Sequence, residues 1–237
     1  MRINKFLAQA TGISRRAADA AVASGEVMIQ GTTANEDQPA TTGQDITAND
    51  TVIFHGRRHT LADVESEALV TIMLNKPSGY VVSRNGQGSL TVYDLLPTEY
   101  HHLKPIGRLD KESSGLLLLT SDGALAHDLT HPSRHKVKRY EATLDKPLQP
   151  LHHQMISEYG LQLEDGLSKF QLDRLDRRQA DTHDGLDWLI TMHEGRNRQI
   201  RRTFSALGYT VVRLHRVQFG DYLLDELPSR SYRKLAN

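Results

Sequence analysis

The sequence contains no cysteine. Disulfides, thiolate nucleophiles and cysteine-ligated zinc are therefore excluded, which leaves carboxylate, histidine, lysine, serine or tyrosine chemistry. Long apolar runs are missing too. None approaches the roughly 18 residues needed to cross a bilayer, and Met1 to Ala10 lacks the apolar centre of a signal peptide. The expected location is the cytoplasm, with no membrane partner. Net charge is absent as well, since 29 Lys and Arg balance 29 Asp and Glu. A neutral total argues against a polyanionic partner, but the distribution is uneven. Arginines gather at Arg15 and Arg16, at Arg57 and Arg58, and from Arg196 to Arg216, while acids crowd Glu158 to Asp187. Local basic patches of this kind remain compatible with nucleic-acid binding. No phosphate-binding loop, dinucleotide fingerprint or internal repeat is present, and Ser113-Ser114-Gly115 lacks the Gly-x-Ser-x-Gly elbow of serine hydrolases.

What is there suffices for a large domain and a small one: 237 residues, 38% of them hydrophobic. The chain opens as helix, helix, strand. Phe6, Leu7 and Ala10 share a face, Gly12 is a stop, Ser14 can cap a second helix ending near Gly25, and Glu26 to Ile29 reads as a strand. A turn at Gln30-Gly31 and a polar loop from Asn35 to Gln44 precede a further alternating strand, Asp50 to His55. The charged, weakly periodic stretch Arg57 to Ala68 reads as a linker. The expected division is a module at 1–60, a linker at 61–69 that lets the two parts move, and a domain at 70–237. From Val70 on, strands are expected at Val70–Leu74, Gly79–Val82, Leu116–Thr120, Val137–Leu144, Leu186–Met192 and Thr210–Leu214. Their irregular spacing indicates an α+β domain with a mixed, mostly antiparallel sheet.

The densest chemical signal is Gly107 to Thr120. Asp110 sits in a glycine-bracketed loop ahead of a continuous apolar run, Leu116 to Leu119, which reads as a buried strand. A rigid strand behind a polar loop is a good mount for a reactive carboxylate, and an ordinary surface turn reads the same way. Between Asn197, a candidate cap, and Gly208, a candidate stop, Ile200, Thr203, Phe204 and Leu207 form one helical face and Arg198, Arg201 and Arg202 another. That second face suits a solvated surface, a phosphate contact or an ion pair. His127, His131 and His135 stand four apart, but Pro132 breaks any helix that would stack them, so no metal site is expected.

Two resemblances organise these segments. RINKFLAQATGISRRAADAAVASGEVMIQG resembles the S4 domain, a small RNA-binding module whose RNA face is basic, which makes Lys5, Arg15 and Arg16 the candidates for phosphate contact. GRLDKESSGLLLLTSDG resembles the GRLD motif of the RsuA-type ribosomal RNA pseudouridine synthases. Further segments follow in that family's order: Leu74 to Gly79, His131-Pro132 with Lys138-Arg139-Tyr140, His193 to Arg202, and Arg213-Leu214.

The resemblance implies a small S4 module followed by a pseudouridine synthase catalytic domain, and an activity that detaches uracil from C1′ at N1, turns it and rejoins it through C5. No cofactor, metal or redox change is required. It implies Asp110 as nucleophile, at C1′ or C6, or as the base that removes a ribose proton. Arg201 is the implied guanidinium partner of that carboxylate. Tyr140 would stack on the flipped uracil and Leu214 would form the opposite wall, whereas by pattern alone both are strand core residues. Arg108, Lys138 and Arg198 complete the expected substrate contacts. The expected partner is ribosomal RNA or an assembling subunit, bound by a monomer. His-Glu-Gly-Arg-Asn-Arg-Gln-Ile-Arg-Arg leans the target toward large-subunit RNA. The rival readings are a non-catalytic ribosome assembly factor, and a metal-dependent nuclease using Asp110 and Glu112.

Overall fold

The computed structural model describes residues 1–31, 37–66, 68–175 and 185–236. It divides into two units, Met1–Ala68 and Leu69–Asn237. Unit one runs α1 (Ile3–Thr11), α2 (Arg15–Ala23), β1 (Val27–Gln30), β2 (Gln38–Pro39), β3 (Thr51–Phe54), β4 (Arg57–Thr60) and α3 (Leu61–Ser66). Unit two continues with β5 (Thr71–Lys76), β6 (Lys104–Pro105), β7 (Ser114–Thr120), α4 (Gly123–Thr130), β8 (Lys138–Leu144) and α5 (Pro150–Gln154). It closes with β9 (Leu161–Leu163), β10 (Gly166–Ser168), β11 (Gln171–Arg174), β12 (Asp187–Met192), α6 (Gln199–Ala206), β13 (Val211–Phe219), β14 (Tyr222–Leu223) and β15 (Tyr232–Lys234).

In unit one the local signals act as their chemistry requires. Gly12 ends α1 at φ 76°, and Ser14 Oγ accepts from Ala17 N at 3.0 Å to cap α2. Ile3, Phe6, Leu7 and Ala18 pack without exposure against Val27 and Val52 of an antiparallel sheet ordered β2-β1-β3-β4. Asn35, in the expected polar loop, lies outside the described residues. The expected linker is corrected here. Arg57–Thr60 pairs with β3, and Leu61 at the start of α3 buries in the unit's core with Val64 packed against it. Two apolar side chains in a charged stretch carry too weak a period to be read as an amphipathic helix, yet they suffice once a sheet edge is beside them.

Unit two is built on a sheet ordered β11-β12-β8-β13-β7-β5-β15, in which β13 and β7 are the parallel pair and the other pairings are antiparallel. The apolar run of β7 is buried on both faces: Leu117 and Leu119 join the main core, Leu116 and Leu118 a second one behind the sheet. Gly79–Val82, expected as a strand, is irregular and makes one bridge, Val81 to Thr91. Tyr80 and Val82 supply the alternating burial, but the backbone bonds of this stretch run to loops: Gly79 N to Lys111 O at 2.7 Å, and Val81 N to Leu90 O at 2.9 Å. β13 is longer than expected, because polar residues from His215 to Gln218 conceal its alternation. Helix α4 stops at Thr130, ahead of Pro132, as the proline requires.

Leu61→Ala tests the revised boundary. Urea unfolding of the whole chain should show a loss of about 2 kcal/mol or more, the usual cost of emptying a buried leucine site. A change within about 0.5 kcal/mol would return the segment to a linker.

Candidate functional site

A cleft of about 680 Å³ opens in unit two, lined on one side by the loop Gly107–Asp110 and on the other by the stretch His193–Arg201. Its floor is the sheet face carrying Tyr140, Leu214 and Arg216. The sheet register makes this neighbourhood compulsory. Tyr140 on β8 stands opposite Arg216 on β13, and Leu214, two residues away, shares its face. The parallel pairing of His215 with Ser114 and Arg216 with Gly115 brings the Asp110 loop to that floor. Gly115 is required there. Its φ is 103°, and a Cβ would lie 2.2 Å from the Arg216 carbonyl oxygen.

The loop is held from beneath by Lys76. This side chain has no exposed surface, and its ammonium donates to the carbonyls of Ser113 (2.6 Å), Pro77 (3.0 Å), Asp110 (3.1 Å) and Lys111 (3.4 Å). Burial pulls its pKa from 10.5 down to about 8, opposed by the charges of Asp110 and Glu112 and reinforced by Arg216. Asp110 itself is about one-third exposed at the side chain and faces the cleft.

Most of the residues expected at the site gather here. Arg108 is exposed on the rim, Tyr140 and Leu214 are buried in the floor, and Lys138, Arg198 and Arg201 line the walls. Lys5, Arg15 and Arg16 are exposed on the helices of unit one. The ion pair is assigned differently from expectation. Arg198, not Arg201, approaches the carboxylate: its Nη1 lies 4.0 Å from Asp110 Oδ2 and 2.7 Å from Glu112 Oε2. Arg201 spends its guanidinium on backbone, donating to Val211 O at 2.7 Å and Glu112 O at 3.3 Å, and senses Asp110 only through its charge. Burial, then Arg198, lowers the pKa of Arg201. The Arg198 hydrogen bond is the first cause of the lowered pKa of Glu112.

Arg198 reaches the loop because its own backbone is left-handed, φ 47° and ψ 29°, where it caps α6 in place of Asn197. Such a conformation costs a non-glycine residue about 1 kcal/mol or more and recurs at functional sites. The buried face of α6 is as expected, with Ile200, Thr203 and Phe204 inward. Sequence reasoning missed Asp165, in the turn between β9 and β10. It takes both terminal nitrogens of Arg202, at 2.6 and 3.1 Å, and Nη1 of Arg196 at 3.0 Å. Those two arginines are thereby engaged with protein. Asp165 carries no local motif, and only the fold reveals its role.

The arrangement is a carboxylate on a fixed loop above an aromatic and aliphatic floor, inside a wall of guanidinium groups. It suits an enzyme that receives a planar, uncharged base attached to a polyanion. Comparison with known proteins is specific. The profile described as RNA pseudouridylate synthase matches residues 70–206. "Ribosomal large subunit pseudouridine synthase B" of Bacillus subtilis is 34% identical, covering 99% of this chain and 91% of that protein. "Ribosomal small subunit pseudouridine synthase A" of Yersinia pestis is 34% identical, covering 99% and 94%. Longer relatives also match, and the chain spans 46% of the large-subunit enzyme of Xylella fastidiosa. A solved structure titled "Crystal structure of pseudouridylate synthase" aligns with a TM-score of 0.65 at 32% identity, covering 100% of this chain and 96% of that one. The chain belongs to the RNA pseudouridylate synthase family, whose members isomerise uridine within RNA.

Lys76 gives the site a testable signature. Its folded pKa lies below its unfolded one, so the unfolded chain binds this proton more tightly and stability rises with pH between about 8 and 10.5. Urea unfolding of wild type and Lys76→Met across that window should show the difference moving in favour of wild type, by at most about 1.4 kcal/mol per pH unit. A drift the other way would show that the four carbonyls hold the proton more firmly than water does.

Proposed function

We propose that this chain converts a specific uridine of ribosomal RNA to pseudouridine, with Asp110 as the catalytic carboxylate. The observation that carries the proposal is the convergence of Asp110, Tyr140, Leu214 and the Arg198–Arg201 wall on one cleft. Tyr140 serves as the stacking platform for the extruded uracil and Leu214 as the facing wall. Arg198 approaches the Asp110 carboxylate and Arg201 adds its positive field, so the reacting group faces a cationic wall. Arg108, exposed at the rim, contacts the RNA backbone, and Lys138, inside the cleft, contacts the base that the RNA carries.

Unit one acts as the S4-type RNA-binding module, in which exposed Lys5, Arg15 and Arg16 contact phosphates. Large-subunit RNA is the favoured target, supported by the sequence of the arginine stretch and by the names of several relatives. The small-subunit name of another relative makes that RNA the second candidate. The protein works as a monomer in the cytoplasm. Among the described residues no helix is long and apolar enough to cross a membrane.

Carbodiimide-dependent primer extension on ribosomal RNA treated with the protein should give a single new stop in large-subunit RNA, absent with Asp110→Asn. Binding without any stop, on naked RNA and on isolated subunits, would favour a non-catalytic assembly factor instead. Replacing Lys5, Arg15 and Arg16 together by alanine should weaken RNA binding and flatten the plot of log affinity against log salt by about 2, at about 0.7 per phosphate neutralised on a single strand. An unchanged slope would remove these residues from the RNA interface.

A further inference from the structure

Arg216 is a buried cation that takes no part in holding Asp110 or the arginine wall. It is 2% exposed. Its Nε donates to Leu116 O at 2.8 Å, its guanidinium lies 4.8 Å from the centre of the Phe219 ring, and its Nη2 has no acceptor. Lys138 approaches the same ring, with Nζ 5.4 Å from its centre. Burial, then the charge of Arg216, lowers the pKa of Lys138. Among the described residues no carboxylate comes within 4.0 Å of either cation, whereas Arg198 has Glu112 and both Arg196 and Arg202 have Asp165. Arg196 and Arg201 also leave an Nε unpaired, but each donates from both terminal nitrogens. Two neighbouring cations with no ion pair of their own, opposed only by the longer-range charge of Glu194 on Lys138, are costly, and such an arrangement persists where a site has a use for positive potential.

Their place defines the chemistry. Both line the cleft, Arg216 in its floor and Lys138 in the adjoining wall, and Arg216 stands directly across the sheet from Tyr140 and next but one to Leu214. This is the aromatic and aliphatic part of the cleft, which suits a base better than a hydrated phosphate. Breaking the bond from C1′ to N1 leaves its electron pair on uracil, spread from N1 onto the carbonyl oxygens O2 and O4. Attack at C6 likewise places negative charge on O4. Rejoining through C5 consumes that pair, and the proton lost from C5 is matched by one gained at N1. A donor fixed beside a carbonyl oxygen would therefore be used whichever route Asp110 takes.

We propose that Arg216, assisted by Lys138, donates a hydrogen bond to a uracil carbonyl oxygen and stabilises the negative charge that builds on the detached base. The proposal rests on the reading that uracil stacks on Tyr140. It assigns Arg216 a role in catalysis beyond its bond to Leu116.

The test uses the full-length protein and an RNA that wild type isomerises and Asp110→Asn does not, so that failure of the Asp110 reading is recognised first. Arg216→Met should lower the single-turnover rate by about 100-fold or more while the RNA dissociation constant changes by less than about threefold. Replacing O4 or O2 of the target uridine by sulfur should slow wild type but add little to the loss in Arg216→Met, the non-additivity expected of groups in contact. Should Arg216→Met fail to fold in a thermal melt, Lys138→Met carries the test. For that variant a rate loss of about tenfold or more at unchanged affinity, with the same thio-coupling, is expected. Affinity falling in step with rate would identify a phosphate contact and overturn the proposal. So would full additivity of both sulfur substitutions, or an unchanged rate in a folded variant.

Discussion

A lysine ammonium shut away from water organises the site. Lys76 closes β5, and from there its Nζ meets four backbone carbonyls, three of them in the Asp110–Ser113 loop. A loop on a protein surface ordinarily leaves its carbonyls to solvent and moves accordingly. Here they converge on one cation, so the loop takes its shape from a point behind it and leaves the outer side of Asp110 free. The arrangement also places positive potential beneath Asp110.

The arginine stretch shows a division of labour that charge counting hides. Arg196 and Arg202 fasten the β9–β10 turn through Asp165, Arg201 ties α6 to Val211 and the Glu112 carbonyl, and Arg198 bridges toward the two acids of the loop. Several cations of a basic motif are thus structural fasteners. A neutral chain can present a cationic cleft because many of its acids lie elsewhere or serve to aim these arginines.

What the sequence disclosed was local. Caps, stops, the continuous apolar run of β7 and the inward face of α6 are written in neighbouring residues, as is the Asp110 loop between its glycines. The resemblance brought Tyr140, Leu214 and the arginine wall into one expected site, and the fold places them around one cleft. Contacts between distant segments were hidden. Lys76 meets three of its four carbonyls across more than thirty residues, Arg202 meets Asp165 across 37, and Arg216 reaches Leu116 across 100. None has a periodicity to betray it. The misread linker and the lost strand at Gly79–Val82 failed for a related reason: backbone pairing decided their structure and side-chain composition did not, since Arg57–Thr60 folds back on β3 as a hairpin while Gly79 and Val81 bond to loops.

The parallel pairing of β13 with β7 has a kinetic side. Ser114 and His215, whose side chains meet at 2.8 Å, are 101 residues apart in the chain. Closing so large a loop is entropically expensive, and such pairings form late in folding. During synthesis the Asp110 loop therefore exists before its floor, waiting on the order of ten seconds for residues 211–219 at ordinary elongation rates. Until then Tyr140 and Leu214 have no common surface on which a base could lie. A protein that modifies RNA is made beside a great deal of it, and this topology delays the reactive constellation until the sheet's central strands are in place.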